Sequence, residues 1–259
     1  MTKVGFIGFG NMAQAMVQGF LEYGEMKCEF YACAKNYDKL VQNASKYQVH
    51  ACKDSKEVVM NSDVIILAVK PYLIEEVVQP ICEMLDGKIV ISVAAGYNYE
   101  MYEKILKPTT PHISTIPNTP ISVGEGIVVC ENKHNLNEEQ LKLFEDLFKD
   151  VALIKMVDTP LLSIAGTIGG CTPAYAAMFI EALGDAGVKH GLPRKTAYEL
   201  AAKMLVGIGK LYFKEQKHPG EMKDAVCSPK GTTIKGVAAL ERNGFRNAII
   251  EAIDAAEGK

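Results

Sequence analysis

Over residues 1–157, short continuous runs of apolar and β-branched residues alternate with amphipathic stretches of helical period. The runs are KVGFIGF, EFYACA, DVIILAV, KIVISVA, HISTI, GIVVC and ALIKMV. Between several of them lie AQAMVQGFLEYG, YDKLVQNASKY and EEQLKLFEDLFKD. Strands that lack polar alternation are buried on both faces, and strands separated by helices pair in parallel. The pattern therefore predicts a parallel sheet covered on both sides. From Pro160 onward almost everything reads as helix, with clear periodicity in PRKTAYELAAKMLVGIGKLYFKEQ and GFRNAIIEAIDAAEGK. Two domains are expected, an α/β domain over 1–158 and an all-α domain over 159–259.

The first strand ends in Gly8-x-Gly10-x-x-Ala13, with a helix expected to start at Asn11. In a dinucleotide fingerprint the first glycine makes the tight turn and the second lets backbone approach pyrophosphate. The third small residue allows the helix to pack closely on the strand. Free N–H groups and the positive dipole end of the helix then face the phosphates. Glycines also serve ordinary strand–helix turns, but strand, turn and helix here agree on a Rossmann-like doubly wound domain. Its expected cofactor residues begin with Gly8, Gly10, Asn11, Met12 and Ala13.

The end of the second strand distinguishes the two nicotinamide dinucleotides, because a carboxylate there holds the ribose 2′-hydroxyl of NAD. This chain has Ala34, Lys35 and Asn36, and no carboxylate before Asp38. A cation and an amide suit a 2′-phosphate, so NADP(H) is the expected cofactor, with NAD(H) as the alternative. Lys35 also has a plainer reading, as a solvated loop lysine. Two further strand ends open on the same crevice, Ala68, Val69, Lys70 and Pro71 after one strand and Ala94, Ala95 and Gly96 after the next. Lys70 reads equally well as a ligand or as a surface lysine.

Composition excludes several other classes. A net charge of −3 and a pI near 6.0 leave no basic footprint for nucleic acid. The seven cysteines are scattered and form no C-x-x-C pair, which suits a reducing cytoplasm and argues against a disulfide framework or a zinc site. The five histidines show no ligand spacing, and no metal is expected. The N-terminal apolar run ends in glycines without a cleavage site, so a signal peptide is not expected. The stretch TPLLSIAGTIGGCTPAYAAMFI carries no charge and is long enough to span a membrane. Its glycines, Pro173 and recurrent hydroxyls instead predict a buried helix pair at a subunit interface.

Near the C-terminus stands HPGEMKDAVCSPKGTTIKGVAALERNGFRNAII, residues 218–250. Together with GNMAQAM, AVKP, SVAAG, PNTP and PAYAAMFIEALGDAGVKHGLPR, it makes nearly the whole chain resemble the pyrroline-5-carboxylate reductase family. The resemblance implies NAD(P)H-dependent reduction of a cyclic imine, 1-pyrroline-5-carboxylate, to L-proline, the last step of proline biosynthesis. It also implies an all-α dimerisation domain whose homodimers assemble further, typically into a decamer.

Carried over by matching residues, the family's substrate loop falls on Ser228, Pro229, Lys230, Gly231, Thr232 and Thr233. The hydroxyl that meets the ring nitrogen falls on Thr233, the catalytic candidate, and PNTP places Asn118 at the cofactor. The chain departs from the family at Ser114, where an arginine is usual, and at residues 169–172, where a serine/glycine run is usual. It departs again at Lys230, where a glycine is common.

Reducing a C=N bond asks for placement and exclusion of water more than for acid–base groups. Thr233 also admits a capping role, since SPKGTTIKGVAAL sets hydroxyls just ahead of an apolar helix. Lys230 reads either as a charge for the substrate carboxylate or as a solvated lysine, and Glu215 and Asp224 read as supports of the loop. Two rival functions remain open. A related cyclic-imine or 3-hydroxy-acid dehydrogenase shares the architecture, but alcohol oxidation needs a base that IAGTIGGCTPAYAAMFIEAL does not offer. A non-catalytic dinucleotide sensor would keep the fold and lose the chemistry.

Overall fold

The computed structural model describes residues 1–258. β1 (Thr2–Ile7), α1 (Asn11–Glu22), β2 (Cys28–Cys33), α2 (Tyr37–Ala44), β3 (His50–Ala51) and α3 (Ser55–Met60) form the first half of the sheet layer. β4 (Val64–Leu67), α4 (Ile74–Val78), β5 (Ile89–Ser92), α5 (Tyr99–Tyr102) and β6 (His112–Pro117) follow. A 3₁₀ turn over Thr119–Val123 then leads to β7 (Gly126–Glu131), α6 (Glu138–Phe148) and β8 (Ala152–Val157). The remainder is helical: α7 (Leu162–Gly170), α8 (Thr172–Lys189), α9 (Arg194–Glu215), α10 (Pro219–Asp224), α11 (Thr232–Arg242) and α12 (Phe245–Ala256).

The eight strands lie in the order β3-β2-β1-β4-β5-β6-β7-β8. β1 is hydrogen-bonded to both β2 and β4, so the strand order reverses there and a crevice opens at the strands' carboxyl ends. Successive residues of one strand serve opposite faces. Val64 and Ile66 pack with Phe6, Met16, Phe20 and Phe148 on one side. Ile65 and Leu67 pack with Ile74, Ile81, Leu85 and Tyr102 on the other. That double burial is why the strand runs carry no polar alternation.

One pair departs from the expected parallel sheet. β6 and β7 run antiparallel, with Ile116 opposite Val129. Only residues 118–125 join them, too few for the crossover that a parallel return requires. β3, with two residues, escaped the sequence reading because so short a segment carries no period.

The chain divides into two compact units, Met1–Gly170 and Cys171–Lys259. α7 groups with the sheet unit: it buries Leu162, Gly166, Thr167 and Gly169, and Gly166 lies against Ile116. The sequence-based junction at 158/159 falls at the end of β8.

Within the second unit, α8 and α9 pack together through Gly184, whose missing side chain admits the Tyr198 ring. Asp185 pairs with Arg194, which also lies over Tyr198. Tyr175 donates to the Ala252 carbonyl at 3.3 Å. Among the described residues of this unit only Gly184, Ala197 and Ala201 are buried. Met178, Leu200, Met204, Ile208, Phe213 and Ile250 are exposed instead. Of the helix pair expected at a subunit interface, α7 is buried in the sheet unit, and α8 buries only Gly184 within the single chain. The stretch Thr159–Lys189 is long and apolar enough to cross a membrane by length and composition. Pro173 breaks it in two, since a proline has no N–H for the helical ladder.

Candidate active site

α1 begins at Asn11 because Gly10 occupies its N-cap in an extended conformation (φ −82°, ψ −167°). The first ladder bond runs from the Gln14 amide to the Gly10 carbonyl at 3.0 Å. The amides of Asn11, Met12 and Ala13 thus have no intrahelical acceptor, and no side chain caps them. A Cβ built on Gly10 meets nothing within 4 Å, so the space before the helix is open. Gly8 has φ +95°, and a Cβ there would come 2.5 Å from the Ala68 carbonyl oxygen. This residue must be glycine both for its dihedral and for the approach of the β4 end.

Around this helix start lies a cleft of about 620 Å³. Its near wall is Gly10, Asn11 and Met12, and Ala68, Val69, Lys70 and Pro71 continue it beyond β4. Val93, Ala94 and Ala95 after β5 and Thr119 after β6 close the far end. An open cradle with unpaired amides at a helix N-terminus fits a dinucleotide pyrophosphate. Most of the cofactor residues expected from sequence therefore come together. Gly8 and the fully buried Ala13 do not line the cleft. Gly96 faces an adjoining hollow with Pro71 and Tyr72.

Lys35 and Asn36 lie exposed at the β2 end. Asn36 caps α2, its side-chain oxygen accepting from the Lys39 amide at 2.9 Å. Asn118 is the residue whose placement differs most from expectation. It is 5% exposed, and both polar atoms of its side chain are committed to protein partners, so it does not line the cleft. The next residue, Thr119, does. Leu73, Val93 and Thr119 escaped the sequence reading. Thr119 stood inside the PNTP segment, but only a fold tells which of the four residues faces a cavity.

In the helical unit, the Gly231 amide donates to the Ser228 carbonyl at 3.0 Å. Pro229 takes the second position of that turn and Lys230 the third, with φ +63°. This is the pattern of a type II turn, in which the third residue is usually glycine. The common family glycine at 230 and the lysine here thus meet the same backbone demand. Gly231 is the N-cap of α11, so Thr232 and Thr233 are its first two helical residues. No side chain caps the helix, and the capping role considered for Thr233 does not occur. Its exposed hydroxyl has no hydrogen-bond partner among the described residues, and the first amides of α11 stand free beside it.

The residues that precede this turn are held by local contacts. His218 caps α10 by accepting from the Gly220 amide at 3.0 Å. The Asp224 carbonyl accepts from the Cys227 amide at 2.9 Å, and Glu215 pairs with Lys217 at 2.8 Å. The sheet unit's buried thiols are inert: burial pushes Cys33 and Cys52 up to about 11 and Cys130 up to about 12. Among the described residues no group of histidines, cysteines and carboxylates is placed to hold a metal.

Comparison with known proteins matches two families to different parts of the chain. Residues 160–259 match the family described as pyrroline-5-carboxylate reductase dimerisation, and residues 3–96 match the NADP oxidoreductase, coenzyme F420-dependent family. The chain is 42% identical to pyrroline-5-carboxylate reductase of Treponema pallidum, covering 98% of both sequences. It is 34% identical to the Escherichia coli protein of that name, covering 97% of this chain and 94% of the relative. Among solved structures, pyrroline carboxylate reductase of Plasmodium falciparum with NADP bound superimposes with a TM-score of 0.87 at 29% identity. That match spans 98% of this chain and 95% of the other.

Proposed function

Because the chain belongs to the pyrroline-5-carboxylate reductase family, we propose a residue-level account of how it holds cofactor and substrate. The reaction itself is NAD(P)H-dependent reduction of the C=N bond of 1-pyrroline-5-carboxylate to proline. When bound, the dinucleotide supplies the hydride, and the protein supplies position.

In this reading the free amides of Asn11, Met12 and Ala13 take the pyrophosphate. Lys35 and the amide of Asn36 take the 2′-phosphate, which makes NADPH the preferred dinucleotide. With the adenosine end lying toward β2, the residues after β5 and β6 border the nicotinamide end: Ala94, Ala95, Gly96 and Thr119. The amides at the start of α11 donate to the substrate carboxylate, with Lys230 adding a charge, and Thr233 directs its hydroxyl to the ring nitrogen.

The observation that carries this assignment is Thr233 itself, a hydroxyl left free at an uncapped helix start. A cyclic imine needs no dedicated acid, because its nitrogen is basic enough to take a proton from water. What the site must do is hold the iminium against the nicotinamide and keep water out.

The chain forms homo-oligomers, as a dimerisation domain requires. The sparse burial of the helical unit supports the same conclusion, since only three of its described residues are buried, too few for a core of their own. Assembly of dimers into a decamer and residence in the cytoplasm belong to the proposal, and the functional boundary is placed at 158/159, where the sheet ends.

The deciding assay follows NADPH oxidation with pyrroline-5-carboxylate, using 3-hydroxy acids with NADP⁺ as controls. Turnover confined to the imine supports the account, and turnover confined to the hydroxy acids overturns it.

A further inference from the structure

The Asn118 side chain makes two hydrogen bonds, one buried and one part-buried. Its Oδ1 accepts from the Ile127 amide at 2.8 Å, and its Nδ2 donates to the Gly169 carbonyl at 2.8 Å. The backbone adds a third, from the Asn118 amide to the Ile127 carbonyl at 3.1 Å. The Gly169 carbonyl has a reason to need an outside donor. In an uninterrupted helix it would accept from residue 173, four positions on. Residue 173 is proline and has no N–H to give. Asn118 therefore supplies a donor to a carbonyl that receives none from Pro173.

The next residue, Thr119, lines the far end of the cleft. It starts the 3₁₀ turn Thr119–Val123, of which Asn118 is the N-cap. Asn118, whose side chain hydrogen-bonds to β7 and to the end of α7, is thus also the immediate neighbour of a cleft wall residue. We propose that Asn118 is a positioning residue for hydride transfer: it fixes Thr119, and through it the seat of the nicotinamide ring, against the rigid end of α7. This rests on the reading above, in which the nicotinamide lies at the β5–β6 end. The turn that Asn118 caps packs on the body of α1, where Gly19 meets the Ile121 carbonyl, beyond the cradle amides at residues 10–13. Asn118 therefore governs the reaction step rather than cofactor affinity, because a small misplacement of reacting atoms can cost about 100-fold in rate while leaving binding intact.

The test uses the full chain and two variants, Asn118→Ala and Asn118→Asp. The aspartate keeps the acceptor for the Ile127 amide and loses the donor to Gly169. Each protein is titrated with NADPH to count binding sites. Turnover per site with pyrroline-5-carboxylate is then compared for NADPH and for NADPH deuterated at the transferred hydrogen. The expected result is an NADPH affinity within about 3-fold of wild type and turnover per site lower by roughly 10- to 100-fold in both variants. The deuterium isotope effect should rise as hydride transfer becomes limiting, a change that mere loss of folded protein cannot produce. Wild-type turnover per site with an unchanged isotope effect would overturn the inference, and so would loss of NADPH binding in both variants. Failure of the wild type to turn over the imine would overturn the functional reading itself, which the variants alone do not touch.

Discussion

The α-carbon of Gly8 lies so close to the Ala68 carbonyl oxygen that a methyl group on it would sit 2.5 Å from that oxygen. The ends of β1 and β4 are in near contact there, and the cleft opens directly above. Gly8→Ala would meet this clash and a φ of +95° together. Strain of this kind costs on the order of 1–3 kcal/mol, and its relief displaces the residues that border the cleft. NADPH affinity is expected to fall by at least 10-fold, measured by fluorescence titration. Retention of wild-type affinity would remove the cradle from the account.

Lys35 has the clearest cofactor-specific prediction. Hydrogen bonds to charged groups contribute about 1.5–3 kcal/mol, so Lys35→Ala should weaken NADPH binding by roughly 10- to 100-fold. NADH, which lacks the 2′-phosphate, should bind the variant and wild type alike. Parallel titrations with the two dinucleotides check this, and an equal loss for both would assign Lys35 to the fold.

For the substrate turn, Thr233→Ala should lower kcat/KM by roughly 10- to 100-fold without abolishing it, on the same hydrogen-bond magnitude. Thr233 caps nothing, so thermal stability should stay near wild type. A variant with full kcat/KM would send the hydroxyl role elsewhere.

Lys230 separates strain from charge. A non-glycine residue in the left-handed region costs about 1 kcal/mol, so Lys230→Gly should stabilise the protein by about that amount, whereas Lys230→Ala keeps the strain. If the ammonium assists the carboxylate, both variants raise KM for the imine. Unfolding curves and steady-state kinetics on the pair read the two effects independently, and an unchanged KM would leave Lys230 as a solvated lysine.

Stability should depend on pH through His134. Burial, and then the neighbouring His112, hold its folded pKa below the ordinary value of 6.5. The unfolded chain therefore takes up the proton first as pH falls. The contribution of neutral His134 is present above about pH 6.5 and is lost progressively below it. Urea midpoints between pH 8 and 5 should fall less steeply for His134→Gln than for wild type, and parallel slopes would exclude the residue as the cause.

The sequence was informative wherever local chemistry is compulsory. Gly8, Gly10 and the helix start at Asn11 were legible because few residues permit that turn and a helix must begin after it. The strand runs were legible because burial on both faces leaves only apolar residues. The antiparallel direction of β7 went unread although its signal was present: HISTI and GIVVC stand only nine residues apart, too few for a parallel crossover. Lys230 appeared as a departure from a pattern. Only the backbone showed that it occupies a left-handed position, which explains why glycine is common there.

Asn118 marks the limit most clearly. A PNTP segment read along the chain offers an amide to a ligand, yet the fold spends that amide on Ile127 and Gly169 and presents Thr119 to the cleft. The sequence by itself determined the two-part architecture, the phosphate-binding turn and the reaction family, because each depends on residue types at fixed spacing. The tertiary structure alone decided which neighbour in a motif faces the cavity and which one holds it in place. That choice depends on partners far apart in the chain, here 51 residues between Asn118 and Gly169, and no local pattern records them.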